Sequence, residues 1–164
     1  MKHGLVVLAG ALLLAWILSG CIADDKDDDG DDIGSRIGFA VLRSGQTSGI
    51  GVERLTVIRE GEAFAALWQE HGVDLSSPLA QPEVDFSQDM VVAVFLGERS
   101  TGGYSLAITE VRERSASFMV KLKATLPADD CVVSQAASQP YQMATISRSS
   151  KVVAFTTEAE VGCP

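Results

Sequence analysis

Apolar positions fall along this chain in three regimes. From Leu5 to Ile17 they are continuous except for Gly10. From Ile22 to about residue 36 they are sparse among aspartates. From Ile37 they return as short runs separated by Gly, Ser, Pro and Asp, the punctuation of a strand-rich domain. Ile37–Leu42 reads as a strand and Arg43–Gly49 as a loop. Arg54–Arg59 alternates as a strand does. Gly61–Gly72 is the one clear helix, because Phe64, Leu67, Trp68 and His71 recur at i, i+3, i+4 and i+7. Glu60 and Glu62 suit its positive N-terminal end, and Gly72 suits a left-handed C-terminal cap. His71, beside the apolar stripe, is expected to be half-buried and satisfied. Met90–Leu96 is an unbroken apolar run, the pattern of a central strand buried on both faces. Tyr104–Arg112 and Ser117–Thr125 follow as joined strands. In the second, Phe118, Val120 and Leu122 point inward and Met119, Lys121 and Lys123 outward. Leu126–Pro140 is a longer loop. Tyr141–Arg148 and Lys151–Thr157 read as a final hairpin through Ser149-Ser150. The pattern predicts an α+β fold: a mostly antiparallel sheet of about six strands with one main helix packed on it.

The first apolar regime has a different meaning. Lys2 and His3 precede it, and Leu18-Ser19-Gly20-Cys21 closes it. A basic start, an apolar stretch and small residues before a cut make a secretory signal. The stretch is short for a membrane span, which needs about 20 apolar residues. Leu-Ser-Gly-Cys matches the bacterial lipobox, so Cys21 is the expected lipidation site. Residues 1–20 are then the signal peptide, 21–36 the lipidated cysteine and a disordered acidic tether, and 37–164 a single globular domain. Two or more acyl chains hold stably to a bilayer where one holds only reversibly. Ile22 follows the cysteine where Asp would favour inner-membrane retention. The expected location is the bacterial cell envelope, lipid-anchored, at an outer membrane facing periplasm or surface.

Charge sharpens the tether. The chain carries a net charge of −9. Seven aspartates between Asp24 and Asp32 stand against Lys26 alone. Such a segment repels itself and cannot bury apolar area. Asp25, Asp27, Asp29 and Gly30 begin a calcium-loop pattern, but Asp32 and Arg36 occupy the places of its apolar residue and its bidentate Glu. A solvated tether is the better reading. The domain is nearly balanced in charge, without the basic patch and interleaved aromatics that nucleic acid demands. With Cys21 lipidated, Cys131 and Cys163 remain, and an oxidising compartment favours a disulfide between them. Two free thiols and a metal pair are the alternatives; the metal reading lacks further Cys or His ligands.

Candidate chemistry concentrates in Arg99-Ser100-Thr101-Gly102-Gly103-Tyr104. Glycines let backbone N–H groups approach a partner. Arg99 offers a forked donor, Ser100 and Thr101 hydroxyls, and Tyr104 an amphipathic face. The same residues also suit a tight turn with Arg99 exposed and Tyr104 in the core. No phosphate-loop pattern, nucleophile elbow or Ser-His-Asp set occurs, so no catalytic residue, metal or cofactor is expected.

Met90–Leu106, with its Thr-Gly-Gly-Tyr-Ser stretch, resembles the signature segment of the PrcB C-terminal domain, a family named for a protease-complex accessory subunit. Val84–Ser87, Phe64–Trp68 and Pro140–Gln142 extend the resemblance to roughly residues 48–157. The resemblance implies a lipoprotein or secreted accessory protein, not an enzyme, with a protein partner such as a surface protease. Thr101-Gly102-Gly103-Tyr104 is also similar to the Thr-Thr-Gly-Tyr loop of chagasin-type cysteine protease inhibitors, whose other motifs have no match here. The expected function is thus a lipid-anchored, non-enzymatic binding module that assists a surface protease complex. The alternative is a protease inhibitor acting through Arg99–Tyr104.

Overall fold

The computed structural model describes residues 34–73 and 80–163. The signal segment, Cys21 and the aspartate cluster lie outside the described residues. In chain order the elements are β1 (Ser35–Ile37), β2 (Ala40–Gly45), β3 (Arg54–Ile58), α1 (Gly61–Gly72), β4 (Asp89–Phe95), β5 (Ser105–Glu113), β6 (Ser117–Leu126), β7 (Tyr141–Ser147) and β8 (Val152–Val161). They form two four-stranded sheets, ordered β1-β5-β6-β8 and β2-β7-β4-β3. The single sheet of about six strands expected from the sequence is therefore two sheets, although a mostly β composition with one helix holds among the described residues.

β4 explains the layering. Its side chains alternate between two cores. Met90, Val92 and Val94 pack with Leu106, Ile108, Phe118, Val120 and Leu122 between the sheets. Val91, Ala93 and Phe95 pack with Phe64, Leu67 and Trp68 of α1 and with Tyr141 and Met143 of β7. A strand with an apolar residue at every position needs cover on both sides. Here a second sheet supplies one cover and the helix the other. Burial of each large side chain of α1 contributes about 1.5–3 kcal/mol.

Three local expectations are corrected. Ser35 and Arg36, assigned to the tether, belong to β1, which pairs with β5 through Ser35–Glu113, Arg36–Arg112 and Ile37–Val111. Gly72 is the last helical residue rather than a left-handed cap; Val73 follows in right-handed conformation. β7 and β8 are not a hairpin. β7 lies between β2 and β4 in one sheet, and β8 runs parallel to β6 in the other. Ser149-Ser150 lacks the residues that tolerate positive φ in a two-residue hairpin turn. The connection instead crosses the edge of the sandwich, where Arg59 donates to the Ser149 and Lys151 carbonyls, both at 2.9 Å.

Candidate functional site

The loop Arg99–Tyr104 carries the chain from β4 in one sheet to β5 in the other. It is a packed corner, not a free-standing turn. The Arg99 N–H donates to the Ser138 carbonyl at 2.8 Å and the Ser138 N–H returns a bond to the Arg99 carbonyl at 2.9 Å. The Ser138 hydroxyl donates to the Thr101 carbonyl at 2.8 Å. The Gly102 N–H donates to the Ser134 carbonyl at 2.8 Å. The donor expected to meet a partner is thus spent on the 126–140 loop.

Gly103 shows why this corner needs glycine. Its φ is +88°, and a Cβ there would stand 2.6 Å from Val133 Cγ1 and 3.0 Å from Pro127 Cβ. Both the backbone conformation and the space exclude a side chain.

Arg99 and Tyr104 also differ from the expectation of an exposed arginine over a core tyrosine. Both are half-buried. Arg99 Nη2 donates to the Leu96 carbonyl at 2.8 Å, and its guanidinium carbon lies 5.7 Å from the centre of the Tyr104 ring. The two side chains form a cation–π contact that braces the corner. Ser100 points outward, as does the fully exposed Val132 of the neighbouring loop. Of the six loop residues, Ser100 is the exposed one; Arg99 and Thr101 through Tyr104 are partly covered.

The neighbouring loop is held by the disulfide. Cys131 and Cys163 are bonded, with Cα atoms 5.3 Å apart. The bond ties the end of β8 to the loop beneath Gly102 and Gly103. Asp130 lies beside the two sulfurs; because they bond each other, they are not available as thiolate ligands.

One polar pair was not legible in the sequence. His71 is 0% exposed and Ser48 2%. His71 Nδ1 lies 2.9 Å from Ser48 Oγ, which also accepts the Ile50 N–H at 3.1 Å. Among the described residues, Nε2 has no hydrogen-bond partner. The imidazole packs against Tyr141, Trp68 and Phe95, with ring centres 4.4, 5.4 and 6.2 Å away. It is fully buried and half satisfied, not half-buried and satisfied. Burial, aided by the positive charge of Arg43, holds its pKa below the ordinary 6.5. Serine and histidine at this distance can act as nucleophile and base, but only where a substrate reaches them.

No curated protein and no solved structure matches the chain. The model of the family described as PrcB C-terminal matches residues 90–147. That span runs from β4 through the corner, β5, β6 and the Cys131 loop to β7, narrower than the 48–157 suggested by resemblance. Over residues 90–147, this chain is similar to the family described as PrcB C-terminal.

Proposed function

We propose that this protein is a lipid-anchored, non-enzymatic accessory module of the bacterial cell envelope that assists a surface protease complex. The observation that carries this reading is the family match over residues 90–147, which contains the whole Arg99–Tyr104 corner. The lipobox ending in Cys21 supports attachment through lipid, and Ile22 supports an outer membrane. The disulfide suits an oxidising compartment. A non-enzymatic role is supported by the burial of His71, the sole histidine after His3. Its contact with Ser48 is sealed beneath α1, where no substrate carbonyl can meet it.

The partner surface is the outer side of the corner, where Ser100 and Val132 stand on rigid supports. A recognition loop braced by backbone bonds and a disulfide loses little entropy on binding. Arg99 braces this surface, and Ser100 and Thr101 present hydroxyls at its rim.

Affinity capture from solubilised membranes tests the proposal, with the full chain as bait. The wild type is expected to retain a protease subunit, and Ser100→Arg to lose it without a change in melting temperature. Capture without any protease, or equal capture by both baits, would overturn the reading.

A further inference from the structure

Residues 46–51 join the end of α1 to the corner. On one side they grip the helix. The Gly49 N–H donates to the His71 carbonyl at 2.8 Å, and Ser48 Oγ lies 2.9 Å from His71 Nδ1. Gly49 sits so close to α1 that a Cβ there would stand 2.4 Å from the Glu70 carbonyl oxygen. On the other side they hold both chains of the corner. The Gln139 N–H donates to the Gln46 carbonyl at 2.8 Å, and the Glu98 N–H to the Gly51 carbonyl at 2.9 Å. Gln139 and Glu98 adjoin Ser138 and Arg99, whose backbone bridge closes the corner. Ser48 and Ile50, between these attachments, are buried.

This grip suits a neutral imidazole. Ser48 can meet Nδ1 of the neutral ring as donor or as acceptor. In a charged ring both nitrogens donate, and among the described residues Nε2 has no acceptor. No carboxylate compensates. On α1, Glu70 is bonded to Arg54. β2 contributes Arg43, whose charge opposes a second cation. β4 and β7 contribute Phe95 and the phenol of Tyr141. Residues 46–51 carry no charge. The negative end of the α1 dipole and the faces of Trp68 and Tyr141 favour a cation. Neither gives Nε2 an acceptor, and a buried unpaired charge is the costlier effect. The net direction of the His71 pKa is accordingly downward.

We propose that His71 is an acid-sensitive latch on the support of the corner. Neutral, it holds residues 46–51 between the end of α1 and the corner. On taking a proton from solvent, the ring turns out to water and its contacts with Ser48 and Gly49 part. Glu98 and Gln139 then lose the carbonyls that back them. The latch opens by local separation of this loop while the two sheets stay folded. The inference rests on the packing around His71 and not on what the corner binds.

Amide exchange of the full chain in detergent micelles tests this between pH 7.5 and 5.5. Every sample carries His3→Gln, so that His71 is the one imidazole. Results are read as protection factors, which remove the intrinsic pH dependence of exchange. A ring freed to water regains its ordinary pKa of about 6.5, so the open state should gain about tenfold by pH 5.5. Protection at Gly49, Ile50, Glu98 and Gln139 is therefore expected to fall together by about that factor. It should also stay below the protection of Val92 and Val120 in the sheets at both pH values. His71→Phe should hold the four amides constant across the range. If that variant does not fold, the profile of the parent chain decides, because the loss must set in below about pH 7, where an imidazole titrates and carboxylates do not. Flat protection down to pH 5.5, or an equal loss in His71→Phe, would overturn the proposal. Loop amides exchanging together with Val92 and Val120 would also overturn it, since protonation would then require global unfolding.

Discussion

Arg99, Gly103 and His71 each carry a distinct single-residue prediction. Arg99→Ala removes a charge-assisted bond to the Leu96 carbonyl and the stack on Tyr104. The expected cost is about 1–2 kcal/mol, read from the denaturant midpoint. A purely exposed arginine would cost under about 0.5 kcal/mol. Gly103→Ala meets both an unfavourable φ and the Val133 side chain, and should cost about 2 kcal/mol or more. His71 makes a prediction in pH. Its folded pKa lies below the ordinary 6.5, so below that value the unfolded chain binds a proton that the folded chain refuses. Its stabilising contribution is therefore complete above about pH 6.5 and is lost as the pH falls toward the folded value. Urea midpoints measured from pH 7.5 to 5 should fall for the wild type and stay nearly flat for His71→Phe. Glu70 and Glu110, whose pKa values lie below 4.5 through their bonds to Arg54 and Arg112, titrate in a lower window.

At the scale of elements, the disulfide ties β8 to the corner. Its sequence separation is 32. Closing a loop of that length should add about 3–4 kcal/mol on the chain-entropy account. Non-reducing peptide mapping should recover Cys131 joined to Cys163, and Cys131→Ser with Cys163→Ser should lower stability by about that amount. Most elements were legible because the local pattern matches what covers them. β4 has no polar face, α1 has a single apolar stripe, and β6 alternates. What stayed illegible depends on partners distant in sequence. β1 is too short and polar to announce itself, and its pairing with β5 creates it. The parallel pairing of β8 with β6 follows from where β7 is inserted, which no periodicity within β8 records. The corner was found as a motif, but Ser134 and Ser138 occupy its N–H and C=O groups from over thirty residues away. His71 was read correctly onto the helical face, while its contact with Ser48 spans a separation that no local pattern contains.

At the scale of the molecule, the matched segment forms the two central strands of each sheet and the corner between them. β3 and α1 flank it on the side of the second core. Cys21, if lipidated, fixes this assembly to a membrane. Cys21→Ala should then abolish incorporation of a labelled fatty acid and leave unprocessed precursor; undiminished label in that variant would remove the anchor from the account. The most direct measurement of the accessory role is photo-crosslinking in intact cells from a photoreactive residue placed at Ser100. A product joining this chain to a protease subunit, absent when the probe is moved to Gln69 on the exposed face of α1, is the predicted result. Crosslinks only to other copies of this chain, or equal protease adducts from both positions, would contradict it.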